Sequence, residues 1–426
     1  MKRFINFRRS AIVIFLIISC SFVLIQCINN GEKKNVEKEK NTVIAEDRKI
    51  NYKQFAGAAS CITCHKNIYE SFIHTSHFLT SQPASEKYIK GSFETGKNIF
   101  PFKDHLYVSM EKRDSGLYQV AWQRGVEKIA KRFDIVTGSG AKGQTYLSWH
   151  NNELFQLPIS FLTVANEWAN SPGYDPEKVI YNRPVTSRCL ECHSTYFNVI
   201  SAPEKEPEEY DHSQILYGVE CEKCHGPGDK HVEYETQNPK DQIGRYIINP
   251  SRFSRQQSLD LCGLCHGGRL QKTTPSFEFV AGDTLSKYFV PSTAGPATKE
   301  IDVHGNQLGL LKESKCFRMS ATMTCVTCHN THENERGKTE VFSQRCMACH
   351  NKKQGTFCKI NQSTVSSIKS NCIDSHMPKQ PSMSVALLLP GDIEPTAALI
   401  HTHLIKVYPE ETNKFIKDKN RPHKTH

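Results

Sequence analysis

The chain has 426 residues, 17 of them cysteine, with a formal charge of +10, 38% hydrophobic residues and a mean hydropathy of −0.51. That length suggests two or three domains, but so little apolar content excludes a large conventional core unless something besides side chains supplies apolar bulk. Beyond one N-terminal run no segment approaches transmembrane length, which excludes a multi-span membrane protein.

Lys2, Arg3, Arg8 and Arg9 precede the apolar run 11–25, a pattern that predicts an export signal over residues 1–26. Ser19, Cys20 and Ser21 interrupt the run, which is short for a membrane span. Cys27 follows Leu24-Ile25-Gln26 and precedes the polar Asn29-Asn30-Gly31, as the first residue of a mature lipoprotein should. Cys20 is the competing lipidation site, and an uncleaved signal anchor the alternative to both. The chain is therefore expected to be periplasmic or otherwise extracytoplasmic and held at a membrane, where thiols oxidise unless captured. Residues 27–54, rich in Lys, Glu and Asn without apolar periodicity, read as a charged, solvated tether.

From there one pentapeptide, Cys-x-x-Cys-His, recurs six times. Residues 55–99 contain the first copy, Cys61, Cys64 and His65. Residues 100–165 contain none and alternate instead. His105–Met110 and Leu117–Trp122 flank Asp114-Ser115-Gly116, and Thr145–Trp149 and Leu154–Leu157 flank Asn151-Asn152, so two hairpins are expected in a small antiparallel β insert. Residues 166–410 carry the other copies: Cys189, Cys192, His193; Cys221, Cys224, His225; Cys262, Cys265, His266; Cys325, Cys328, His329; and Cys346, Cys349, His350. Short helices and long loops are expected there, so the fold class is read as mainly α, packed around whatever the repeats bind, with residues 411–426 a basic tail.

Two thiols three residues apart, with His next, is the attachment pattern of haem c: each thiol forms a thioether to one vinyl group and the imidazole takes the iron from below. Twelve paired cysteines would also suffice for three zinc sites of four thiolates each, but zinc gives no reason for His to follow every pair. Haem propionates account for the charge as well. Four of the ten positive charges lie in the signal, and the remaining six are offset by six haems at roughly −1 each, so nucleic-acid binding is rejected.

Thirteen histidines lie outside the motifs, enough for a second imidazole on every iron. The candidates nearest motifs are His77 (with His74 one turn back as competitor), His231, His304, His332 and His403, the last in His401-Thr402-His403. His105, His150 and His212 are weaker, and His423 and His426 sit in the tail. Cys372-Ile373-Asp374-Ser375-His376 is a damaged copy with Ser for the second Cys. Either Cys372 holds a seventh haem by one thioether over His376, or His376 is a distal ligand while Cys372 pairs with Cys358, or both are ordinary core residues. Cys316 is left over, and a disulfide to Cys358 is open to it.

Three stretches carry a resemblance: Ala58-Ala59-Ser60 before Cys61, with Tyr69 and Thr75-Ser76-His77 after it; Gly218-Val219-Glu220 before Cys221, with Gly226-Pro227-Gly228 after it; and His376-Met377-Pro378 with Thr402-His403-Leu404-Ile405. At these residues, over about 55–410, the chain resembles the multihaem cytochromes of the cytochrome c-554 family, relatives of the octahaem hydroxylamine oxidoreductase and pentahaem nitrite reductase lineage. The resemblance implies an α-rich, haem-packed fold, mostly bis-His haems and electron transfer, with the family's distal ligand position falling on His77. Ser375 departs from the family's intact closing motif. No Cys-x-x-Cys-Lys run, the mark of a catalytic haem in that lineage, is present.

The function expected is an electron carrier linking a quinol-side donor to a terminal reductase or another cytochrome. Its rivals are a reductase of nitrogen or sulfur oxyanions with one open-coordination haem, and an accessory subunit docking through the insert around Trp122 and Trp149.

Overall fold

The computed structural model describes residues 50–291, 302–358 and 371–419. The expected signal, nearly all of the tether, Cys20, Cys27, His423 and His426 lie outside the described residues. Contacts divide the chain into Met1–Ile50 and Asn51–His426, and every described element belongs to the second unit.

After helix α1 (Ile62–Phe72) the chain turns to β structure. Strands β1 (Ser81–Pro83), β2 (Ile99–Pro101), β3 (Leu106–Arg113), β4 (Gly116–Gln123), β5 (Val126–Arg132), β6 (Ile135–Thr137), β7 (Gly143–His150), β8 (Glu153–Gln156), β9 (Ile159–Leu162), β10 (Glu167–Asn170) and β11 (Arg183–Pro184) follow. Helix α2 (Ser187–His193) then leads into the long hairpin β12 (Ser194–Ser201) and β13 (Glu209–Tyr217). Strands β2-β3-β4-β5 make one antiparallel sheet, and a nine-stranded antiparallel sheet runs β1-β6-β7-β8-β13-β12 with β9, β10 and β11 paired at its side.

Both expected hairpins form. β3 and β4 turn at Asp114–Ser115, and β7 and β8 at Asn151–Asn152, where Asn151 takes φ 52° as a tight turn requires. The fold class nevertheless needs correction. The chain is 29% helical and 27% strand, so it is not mainly α, and β structure runs from Ser81 to Tyr217 rather than staying a small insert. The missed strands are short, or half-buried without alternation, and β12 follows a motif helix directly, so the period-2 signal was absent.

The sheets share one apolar core. Trp168 fills its centre, ringed by Phe93, Phe133, Tyr146 and Phe161, and its indole N–H donates to Ser92 O at 2.9 Å. Gly91 lies against the indole face, where a Cβ would fall 2.2 Å from Trp168 Cζ2. Fully buried Gln119 joins the two sheets, donating to Ile159 O at 2.6 Å and accepting from Ile159 N at 3.1 Å.

The rest of the chain is built of single turns and short helices: α3 (Cys221–His225), α4 (Asp229–Gln237), α5 (Arg255–His266), α6 (Gln307–Glu313), α7 (Lys315–Met319), α8 (Thr339–Cys349), α9 (Cys372–His376) and α10 (Pro409–Lys419). Between them lie the hairpins β14 (Leu270–Lys272) with β15 (Phe289–Pro291), and β16 (Lys379–Leu387) with β17 (Thr396–His401). Its main apolar cluster is small, Leu259, Leu308, Leu311 and Phe317. Among the described residues no helix is long and apolar enough to cross a membrane.

A candidate haem-binding cavity

The motifs sit where local geometry brings their three reactive groups to one side. Cysteines at i and i+3 and histidine at i+4 share a helix face. The second motif closes α2, the third is the whole of α3, the fourth is the last turn of α5, and the sixth ends α8 with His350 at its C-cap. The first straddles the start of α1, whose helical backbone breaks at His65, and the fifth forms a 3-10 turn, Cys325–Thr327. Helix α5 is fixed at its other end by a capping box between Ser254 and Gln257.

All these groups but Cys64 open into one cavity of about 3130 Å³. Its lining includes every motif cysteine except Cys64, and all six motif histidines. Of the other described histidines, His77, His231, His304, His332, His376, His401 and His403 line it too, whereas His74, His105, His150 and His212 do not. Among the described residues no three His, Cys, Asp or Glu side chains converge as a zinc site would need.

The histidine spacing tests whether haem fits. Two imidazoles on opposite sides of one metal ion, each nitrogen about 2.0–2.1 Å from it as for zinc and each ring centre about 1.1–1.2 Å further, would stand about 6.2–6.6 Å apart. Three pairs match: His266 with His77, His225 with His332, and His329 with His403, each with ring centres 6.2 Å apart. Each pair joins a motif histidine to a non-motif one. His193 and His304 are also neighbours: burial first, then His304, hold His193 at about 4. His65 and His231 both act on His225, which burial lowers first. Burial likewise holds His77 and His403 at about 4, so these rings are neutral, the form that binds iron.

Tautomers agree with this. The Nδ1–H of His225 donates to Ile248 O (2.9 Å), that of His231 to Arg245 O (2.7 Å), that of His266 to Gln307 Oε1 (3.0 Å), and that of His350 to Thr356 O (3.3 Å), leaving each Nε2 lone pair free. His193 Nδ1 lies 3.0 Å from Thr80 Oγ1. His212 does the reverse: its Nε2–H donates to Asn151 O at 2.8 Å and its ring stacks on Trp149 at 3.7 Å, a structural role in the sheet. His74 is exposed, whereas His77 one turn on faces His266. Among the described residues His403 Nδ1 has no geometric hydrogen-bond partner, although the nearby His401 backbone acts on its ring.

The thiols show which motifs touch. The Cys61 and Cys221 thiols interact, which lowers Cys61 and raises Cys221. Cys192, whose thiol donates to Leu264 O at 3.7 Å, also interacts with Cys265, which brings Cys192 down to about 7. Cys262 meets Cys325, with Cys224 also acting on Cys262. Cys328 in turn feels Cys349 beyond Cys316. Motifs one, three, four, five and six thus adjoin in that order, with two beside four.

Sequence reasoning missed the parts that hold this arrangement. His401, only one strand residue from Thr402-His403, donates from Nδ1 to Met377 O at 2.6 Å and lines the cavity; the His-x-His spacing was its signal. Two carboxylates inside or beside the third motif grip the first. Glu222 accepts from Ala56 N (2.9 Å), Gly57 N (2.8 Å) and Gly228 N (2.7 Å), and Glu220 from Ala58 N (3.3 Å). Glu191, within the second motif, accepts from Phe277 N at 2.7 Å and pairs with Arg188. Gly218 allows the third motif to approach His77: at φ 66° it lies so close to Phe78 O that a Cβ would be 2.1 Å away, and Val219 N–H donates to His77 O at 2.9 Å.

Residues 144–226, spanning β7 to just past the third motif, match the family model described as cytochrome c554 and c-prime. The backbone is similar to the crystal structure of the outer cell wall cytochrome OcwA, with a TM-score of 0.49 and 18% identity over 85% of this chain and 81% of that one. No curated protein matches the sequence.

Proposed function

We propose that this multihaem c-type cytochrome, an electron-transfer protein, is an exported carrier with haem c at six complete motifs, held mostly between two imidazoles. The carrying observation is the 6.2 Å spacing shared by His77–His266, His225–His332 and His329–His403. His304 serves His193 and His231 serves His65 in the same reading. When bound, the haems supply reversible one-electron chemistry, and two identical ligands keep coordination unchanged between oxidation states. The protein's part is to hold neighbouring attachment sites in contact and to exclude water from the buried imidazoles.

Electrons enter from a quinol-side donor and leave to a terminal reductase or second cytochrome, with the chain anchored at an extracytoplasmic membrane face, by lipid on Cys27 or Cys20 or by an uncleaved signal. The basic n-region and the run 11–25 support export. Intact mass counts the haems, and optical and electron paramagnetic resonance spectra report coordination. A low-spin protein that ignores carbon monoxide is expected. A high-spin iron binding carbon monoxide at one per chain would instead favour an oxyanion reductase.

A further inference from the structure

We infer that Cys372 and His376 hold a seventh haem, attached through a single thioether. The inference rests on the six-motif reading above and extends it to the one segment that pattern does not cover.

Helix α9 is a one-turn helix of the same five residues in length as α3, with cysteine first and histidine last. Asn371 caps it, accepting from Asp374 N at 3.1 Å. His376 donates from Nδ1 to Lys406 O at 2.9 Å, the counterpart of His225 donating to Ile248 O, so its Nε2 is left free. Cys372 and His376 both line the cavity.

Cys372 lies beside the sixth motif, as complete motifs lie beside one another. First cysteines meet first cysteines at Cys61–Cys221 and Cys262–Cys325, and second meets second at Cys192–Cys265. Cys372 N–H donates to Ser343 Oγ of α8 at 2.9 Å, and α8 carries the sixth motif. Burial, then Cys372, raise the Cys346 thiol to about 12, while Cys372 itself is raised by burial and by Cys358 and lowered by Ser343. Ser375 occupies the second cysteine's place, is 8% exposed, and donates to Cys372 O at 3.2 Å. It is accommodated but has no sulfur to offer. Neither leftover cysteine has this form: the residues four beyond Cys316 and Cys358 are Ser320 and Gln362.

Attachment needs no outside oxidant or reductant. The Cys372 Sγ–H adds across one vinyl C=C: the Sγ–C bond forms at the carbon nearer the ring, the vinyl π bond breaks, and the thiol proton ends on the outer carbon. The second vinyl stays intact, which red-shifts that haem's pyridine haemochrome band.

Intact mass of the purified holoprotein tests this, with Cys372→Ala and Ser375→Cys beside it. The expected results are polypeptide plus seven haems, one fewer covalent haem in Cys372→Ala, and an unchanged haem count with a blue-shifted haemochrome in Ser375→Cys. Six haems in the natural chain, with Cys372 alkylated by iodoacetamide or released from Cys358 only by reductant, would overturn the inference while leaving the six-motif reading intact. Fewer than six haems would overturn that reading instead. Should Cys372→Ala fail to fold, the Ser375→Cys spectrum still decides.

Discussion

The two halves of this molecule solve the same burial problem with different materials. Around Trp168 the sheets close over side chains: Trp168, Tyr146, Phe161 and their neighbours leave almost no exposed surface. In the motif-bearing half the apolar cluster around Leu259 is small, and cysteines and imidazoles instead face a cavity of about 3130 Å³. Interiors are normally close-packed, so a space of that size is stable only when filled. The lesson is that low hydrophobic content was an average over a conventional core and a region lined instead by cysteines and imidazoles.

The largest effect expected from that contrast is on a chain made without haem. Amide exchange should show the cavity half collapsing to fast exchange while β3, β4 and β7 keep protection; equal loss in both halves would break the comparison. Next comes Trp168→Ala, which should cost about 3–5 kcal/mol in denaturant unfolding through the void it leaves, with haem content by mass unchanged. Glu222→Ala strips three backbone N–H groups of their acceptor and should cost about 1.5–3 kcal/mol, with faster exchange at residues 56–58 as its local signature.

His77→Ala should alter spectra more than stability. One high-spin haem per chain that binds carbon monoxide is expected, whereas His74→Ala should leave the spectrum as it was; the opposite result would reassign the distal ligand. The smallest effect concerns pH. Burial, helped by Glu222 and opposed by the Ala58 N–H, raises Glu220 from 4.5 to about 7. The native state then keeps a proton that the unfolded chain releases, so this contribution is full below 4.5 and fades as pH rises through 7. Glu220→Gln should gain stability relative to the natural chain over that window, read as a shift in denaturant midpoint.

Much of the site was legible in the sequence because haem attachment is local. Two thiols and an imidazole within five residues need only one helical turn to converge, so Cys189–His193 or Cys262–His266 announces its chemistry wherever it lies. Both β hairpins were legible for a similar reason, since alternation and turn residues at Ser115 and Asn151 act over neighbouring positions. The full reach of β structure was not, because β1 and β11 exist through pairing with the non-adjacent strands β6 and β8, and β9 and β12 are short or buried without alternation.

Taken by itself, the sequence determined the attachment pattern and the residues that compose it, for two thiols and an imidazole are written into contiguous residues. Only the tertiary structure decided which second imidazole faces each first one, as with His77 opposite His266, and which motifs touch. Those choices depend on Gly218 admitting Phe78, on Glu222 gripping Gly57, and on a cavity whose described walls run from Ala56 to Asn413, and no local pattern encodes contacts between residues so far apart.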